Sequence, residues 1–533
     1  MPDSYDGIII GGGINGLIAA AYLAKSGLKI GVFERMGEAG GGMRTEEATL
    51  PGFYHNLHGI HCKFHDTPMY YDLELEKFGA GLIYPEVKVS IPFSDGKSLI
   101  CHTDLKKTCE SLSKFSQKDG KKFEKIAEQW NNWYNQIITP EIFNPPLSQL
   151  ERKDAIRKTE SGEDYLEAES MSVSQYANEL FEDDRNKGLF IWAALATSYT
   201  TRIQGISPIV FFTFITWLTR KLCLVRGGTQ QYARALVQSI ASNQGVVNSA
   251  SHVNKIIVND GAATGIQIQG GRKITANKFV VSAVDPVQTL LKLVGEERVG
   301  QDIAKKISKY KWEDWAIFGG HLALNEPPKH KAAKHDPRVN KALKYVIGNE
   351  SSEGLARHAA ELAGGKLSRD PGFGGGCLTL FDPSQAPPGK HTAYFWAASP
   401  YELKNGGAER WDEVKLEYLD RCLEKWREYA PNLNSKNILA KAAYTPYDIS
   451  RKVISMVRGG FNLGRISPDQ NGALRPIDGM GNYRTPIKGL YLTGAGTHPG
   501  GTMIGAAGYN AASVIVENLG IAKWWSNPHH KLV

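Results

Sequence analysis

Residues 5 to 34 constrain the chain more than any other stretch. Tyr5 to Ile10 reads as a short buried strand and Ile14 to Lys25 as an Ala/Leu-rich helix, with Gly11-Gly12-Gly13-Ile14-Asn15-Gly16 between them. In this Gly-x-Gly-x-x-Gly arrangement Gly11 permits a tight turn and Gly13 lets backbone approach a pyrophosphate. Gly16 lets the helix pack close to the strand, and the helix N-terminus faces the phosphate charge. A second strand, Lys29 to Phe33, follows, and Glu34 stands at its end, eighteen residues beyond Gly16. A carboxylate there accepts from both hydroxyls of an adenosine ribose. Strand, loop, helix, strand and acid in register predict a dinucleotide-binding βαβ unit, with Gly11, Gly13, Ile14, Asn15, Gly16 and Glu34 at the ligand.

A nicotinamide dehydrogenase normally continues into another helix after the acid. Here Arg35-Met36-Gly37-Glu38-Ala39-Gly40-Gly41-Gly42-Met43-Arg44-Thr45 follows, then Pro51-Gly52-Phe53. Such a glycine run suits a loop pressed against the pyrophosphate and ribityl of FAD. It resembles the paired-glycine motif of the flavoprotein group that includes amine oxidases and phytoene desaturases. That motif usually puts Arg straight after the glycine pair. Here Gly42 holds that place and Arg44 comes two later, as in the phytoene-desaturase-related branch. The resemblance implies FAD contacts at Arg35, Gly41, Gly42, Met43 and Arg44, with Arg44 either at the phosphates or on the surface.

Near the other end, Leu490 to Thr493 reads as a buried strand running through Gly494-Ala495-Gly496-Thr497-His498-Pro499-Gly500-Gly501-Thr502-Met503-Ile504 into a small-residue helix, Gly505 to Val516. A helix N-terminus offers free donors and positive dipole. Placed at the N1/O2 edge of a flavin, those donors would stabilise the anionic reduced ring. The stretch is similar to the phytoene desaturase signature, which has a further Gly where Thr502 stands. Amine oxidases put a substrate-cage aromatic at about this position and usually an acid where Ala495 stands. Neither is present. By this resemblance Gly494, Thr502, Met503 and Ile504 contact the cofactor.

Between these motifs, Val225-Arg226-Gly227-Gly228-Thr229 precedes a helix with Ala233, Leu236, Val237 and Ile240 on one face. Strand-like pieces follow over Ser251 to Val258, Thr264 to Ile268 and Lys278 to Ala283, with Asn259-Asp260-Gly261 and Gly270-Gly271 as turns. In the related flavoproteins such a meander and return strand re-enter the FAD domain, which would put the Val253 backbone beside the adenine. The implied fold is α/β: a discontinuous Rossmann-like FAD-binding domain of the GR2 type, from residues 1–105, 221–300 and 456–533, with an inserted α+β substrate domain from 106–220 and 301–455. Thr45-Glu46-Glu47 and Pro51-Gly52-Phe53 look most like the phytoene-dehydrogenase-like branch, which includes the animal pyridine nucleotide-disulphide oxidoreductase domain-containing protein 2.

His55, His58, His61 and His65 recur at spacings that a helix would gather into a metal cluster. Their context reads instead as a turn into a strand, which scatters them over both faces, so no metal is expected. In the related flavoproteins this strand runs beneath the flavin. His58 and His61 are therefore candidates for ring contact or proton acceptance, against ordinary hydrogen-bonded histidines. Phe211 to Leu218 forms an aromatic block that either packs a core or lines a hydrophobic tunnel. Gly372-Phe373-Gly374-Gly375-Gly376 lacks the flanking strand and helix of a second dinucleotide site. No P-loop, zinc motif or Gly-x-Ser-x-Gly elbow appears.

The formal charge is +8, with the basic excess densest from Lys329 to Lys344 and read as a solvated face. Nucleic acid is not an expected partner. Six cysteines without paired spacing suggest a reducing, cytoplasmic setting or an organelle matrix. The longest apolar run, Ile206 to Leu218, is too short to span a bilayer. Trp524-Trp525 beside a basic C-terminus permits peripheral membrane contact. The expected activity is FAD-dependent desaturation or dehydrogenation of a hydrophobic isoprenoid, lipid-like or alicyclic substrate. Electrons would leave to O2, a quinone or a protein. The alternatives are an amine or alcohol oxidase releasing H2O2, and an FAD-binding interaction protein without catalysis.

Overall fold

The computed structural model describes residues 1–63, 67–195, 205–206, 208–218, 222–501, 505–529 and 532. Two seven-stranded sheets organise them. The first holds five parallel segments side by side: Leu490–Leu492, the end of Lys273–Ser282, Ser4–Ile10, Ile30–Phe33 and Val246–Asn248. These strands are continuous apolar runs because both faces are covered, one by helices Ile14–Lys25, Gln230–Ser242 and Ala506–Asn518 and the other by residues 253–268 and 290–310. The expected meander is present as Val253–Asn259, Ala262–Ile268 and Lys273–Ser282. Its third strand and the expected return strand are one element. Thr275 pairs with Gly265 in the meander, while Val280 to Ser282 lie between Ile8–Ile10 and Leu490–Leu492.

The first sheet's glycines are steric necessities. Gly31 faces the Tyr5 ring, 2.8 Å from where a Cβ would stand, and Gly7 faces Phe279 at 2.1 Å. At Gly16 a Cβ would sit 2.2 Å from the Gly11 carbonyl oxygen. This is the close helix-to-strand approach that the motif requires.

The second sheet runs Ile438–Tyr444, Ala316–Leu324, His391–Ser399, Phe373–Gly376, Lys344–Ile347, Val87–Pro92 and Ser98–His102. Its last two strands come from within residues 1–105, the span expected to serve the first unit alone. They join here because Val89 and Ser90 pair in parallel with Lys344 and Tyr345. The glycines at 374 to 376 are a strand of this sheet. A Cβ on Gly374 would strike Trp192, and on Gly376 the Leu343 carbonyl. Helices between residues 105 and 217 pack around Trp130 and Trp133, which meet Phe214 and Phe211 edge-on at 5.0 and 5.6 Å.

Candidate functional site

The parallel strands all end on one edge of the first sheet, and the predicted ligand residues gather there. Ile10 runs into Gly11, Phe33 into Glu34 and Leu492 toward Gly494. In open parallel sheets this edge is where ligands bind. Glu34 is nearly buried, and its two oxygens accept from the Gly12 and Met36 backbone N–H groups, each at 2.7 Å. The Glu34 carbonyl accepts from Ser251 N–H at 2.7 Å. Val253, buried at the start of its strand, stands two residues further on.

Gly13 to Gly16, Gly41 to Met43, His58, His61 and Gly494 line one cavity. Gly41 has φ +56°, and a Cβ on it would come within 2.9 Å of the Gly13 Cα. A Cβ on Gly13 would meet nothing nearer than the Gly41 Cα at 4.0 Å. The space over Gly13 is thus open, bounded by backbone, at the N-terminus of Ile14–Lys25. Asn15 ties the two glycine motifs together, its Oδ1 accepting from Gly508 N–H at 3.2 Å. These features fit the diphosphate of a dinucleotide.

Gly11, Glu34, Arg35, Arg44 and Val253 lie outside the cavity wall. Arg35 donates to the Lys452 carbonyl at 2.7 Å. Arg44 is buried, donates to the Glu38 carbonyl at 3.0 Å and sits 3.5 Å from Glu46, while its Nε has no partner among the described residues. Thr502, Met503, Ile504 and His65 lie outside the described residues.

The histidines separate by environment. His55 meets Thr49 Oγ1 at 2.8 Å. His58 has two buried nitrogens without a partner and packs edge-on to Tyr444 at 6.2 Å. Burial, then Lys452 and Arg44, push its imidazolium down to about 3, so the ring is neutral near pH 7. Burial with Lys344, Lys63 and Lys88 holds His61 well below its usual value. Among the described residues no histidine, cysteine and carboxylate group is arranged to hold a metal.

Ile60, Trp217, Trp396, Met456 and Phe461 supply an apolar part of the same cavity's wall, here called the chamber. The aromatic block divides between the core and this cavity. On helix Pro208–Trp217, Thr213 and Trp217 face the chamber, while Phe211 and Phe214 pack against Trp133 and Trp130. Lys63 and Lys344 also line the chamber. Neither was singled out as a site residue from sequence, and Lys344 belongs to the charge run read as a solvated face. It is 6% exposed. The available signal was its neighbours: Leu343-Lys344-Tyr345-Val346-Ile347 is an apolar strand with one cation in it.

Arg475 holds the C-terminal wall. Fully buried, it donates to the carbonyls of Asn462, Gly464, Arg465, Gln470 and Ala495, the last next to Gly494. Trp524 stacks on Tyr22 at 5.2 Å and Trp525 is buried, so both rings take part in packing.

Such a glycine cradle at the ends of parallel strands marks a dinucleotide-binding protein. Residues 9–72 match the NAD(P)-binding Rossmann-like domain. The chain is 33% identical to a subunit of the limonene dehydrogenase of Castellaniella defragrans, over 98% of this chain and 96% of that one. It is 28% identical to the rat pyridine nucleotide-disulfide oxidoreductase domain-containing protein 2, over 97% and 94%. A solved oxidoreductase from Methanosarcina mazei shares the fold at a TM-score of 0.59 and 18% identity, covering 96% of this chain and 99% of that one. The chain belongs to the phytoene-desaturase-related family of oxidoreductases, alongside the limonene dehydrogenase and the phytoene desaturases.

Proposed function

We propose that this chain binds FAD across the glycine cradle and dehydrogenates a carbon–carbon bond of a hydrophobic substrate held in the chamber. One observation carries the reading: Gly13, Gly41 and Gly494 share a single cavity with Trp217 and Trp396. The cofactor place and an apolar substrate place are thus contiguous. Bound FAD would supply the hydride acceptor.

The chain's own work is positioning and exclusion of water. Backbone at Gly13 and Gly41 admits the diphosphate, and Glu34 takes the ribose with the lone pairs its two backbone bonds leave free. Arg35, Arg44 and Val253, with Thr502 to Ile504, complete the proposed cofactor contacts. Aromatic walls hold the reacting carbon in place. His58 and His61, neutral near pH 7, are the proposed flavin-facing residues. The proton from the neighbouring carbon goes to a base or to solvent.

The electron acceptor is O2, a quinone or a protein. A relative named as one subunit of a dehydrogenase supports the last of these. Among the described residues no helix is long and apolar enough to cross a membrane; the six cysteines without paired spacing are what support a cytoplasmic or organelle-matrix setting. No carboxylate among the described residues lines the cavity to receive an ammonium group, which places an amine substrate behind the desaturase reading.

The deciding experiment is the visible spectrum of the purified protein before and after denaturation. Flavin bands that pass into the supernatant on denaturation support non-covalent FAD. A colourless protein that takes up no added FAD rejects the proposal. A coloured protein that releases H2O2 on turnover supports the oxidase alternative, and one that no donor reduces supports a binding role without catalysis.

A further inference from the structure

We propose that Lys344 and Lys63 form an anion-recognition subsite in the chamber wall, and that the substrate is an amphipathic molecule whose apolar skeleton carries a carboxylate. The inference rests on reading the chamber as the substrate space of a flavoprotein.

Lys344 opens the strand Lys344–Ile347, in register with Val89 on one side, and its side chain passes beside Gly374. A Cβ on Gly374 would lie 2.8 Å from the Lys344 Cε, so the missing side chain there makes room for the lysine. Its Nζ stands 4.5 Å from the Trp192 ring centroid and 5.2 Å from that of Trp217. It has no hydrogen bond or ion pair to a described residue. Lys63, also 6% exposed, donates to Thr213 Oγ1 and lies 5.4 Å from the Phe212 ring centroid. Both line the chamber, and among the described residues no carboxylate does. Lys88, a third buried lysine near His61, is committed to the Leu222 carbonyl at 2.6 Å.

Burying an ammonium without a countercharge is costly, and burying two near each other costs more. Aromatic faces attract a cation but do not neutralise it. A methionine at position 344 would pack between Trp192 and Trp217 without that cost. What a lysine adds is charge and donors aimed into an otherwise apolar space. Burial pushes the Lys344 ammonium down to about 7, and Lys344 in turn helps to hold Lys63 well below its usual value. An incoming carboxylate supplies the countercharge that the protein omits, and its two oxygens can accept from both lysines. Anchored by that head group, the skeleton lies along Trp217 and Trp396. The carbon presented to the cofactor is then set by its distance from the carboxylate.

The test is calorimetric binding of decanoate and decanamide to the full-length, flavin-containing protein near neutral pH. The two share chain length and differ in charge. The wild-type protein should bind decanoate about tenfold or more tightly than decanamide. Lys344→Met should bring the two affinities together while the flavin spectrum stays unchanged, and Lys63→Met should narrow the gap. Equal wild-type affinities, or no binding of decanoate, overturn the subsite without need of either variant. Protein lacking flavin absorbance would instead overturn the functional reading beneath it, so the two failures are distinguishable.

Discussion

At the residue scale, two glycines of one motif should fail in different ways. Gly13→Val places its side chain where only the Gly41 Cα lies within 4.0 Å, so the fold accommodates it and the diphosphate does not. The variant should be soluble, with an unchanged melting temperature for the flavin-free protein, yet colourless. Gly16→Ala puts a methyl group 2.2 Å from the Gly11 carbonyl oxygen, and its melting temperature should fall even without flavin. Glu34→Ala removes the acceptor of two backbone donors as well as the proposed ribose contact. Titrating the apoprotein with FAD should show a loss of about 1–3 kcal/mol, with a lower melting temperature besides. The cradle was legible because a glycine's missing side chain is a local property. The second duty of Glu34 was not, since it depends on how the loop folds back. Lys344 was hidden because counting charge along a segment ignores which way a strand turns each side chain.

At the scale of elements, an ionic clamp joins three helices away from the glycine cradle. Arg152, on the helix Gln149–Arg157, joins Glu141 and Glu169 from two neighbouring helices, with bonds of 2.8 and 2.6 Å to Glu169. Arg152→Met leaves two largely buried carboxylates facing each other and should cost about 3 kcal/mol in urea unfolding. Burial already raises the Glu141 carboxyl against the pull of Arg152, so the variant's deficit should shrink as Glu141 protonates in acid. A deficit that grows in acid would contradict this account. The helix after Gly13, the helix after Gly228 and the meander were readable from period and turns. The strands Val87–Pro92 and Ser98–His102 lie within the span 1–105 expected to serve the cofactor unit, yet they pair into the second sheet. Their alternation reveals strands but not a partner, and the partner, Lys344 and Tyr345, lies some 250 residues further along the chain.

At the scale of the whole molecule, the cofactor should act as a structural member. The proposed FAD bridges segments from both ends of the chain, so a state that binds it is favoured over the unfolded state by mass action. FAD at a hundredfold excess over its dissociation constant should add about 2.7 kcal/mol, read as a melting temperature that climbs with FAD concentration. A melting temperature indifferent to FAD would argue against the cradle. The overall architecture was legible because three motifs in fixed order mark its frame. The chamber was not, because its walls come from helix Pro208–Trp217, strand Lys344–Ile347 and the loop around Met456, which sequence alone does not bring together.

The pairing of Leu490–Leu492 with Val280–Ser282 has a consequence for synthesis. The parallel sheet lacks one of its strands, and the cradle its Gly494 wall, until residues 490–494 have been translated, about 200 residues after the strand they join. A ribosome-bound chain can order the βαβ unit early, yet a nascent chain stopped short of residue 490 has no closed site to load. Acquisition of the proposed cofactor would then report that translation has passed residue 494, and quality control that senses an empty form would remove chains stopped before it.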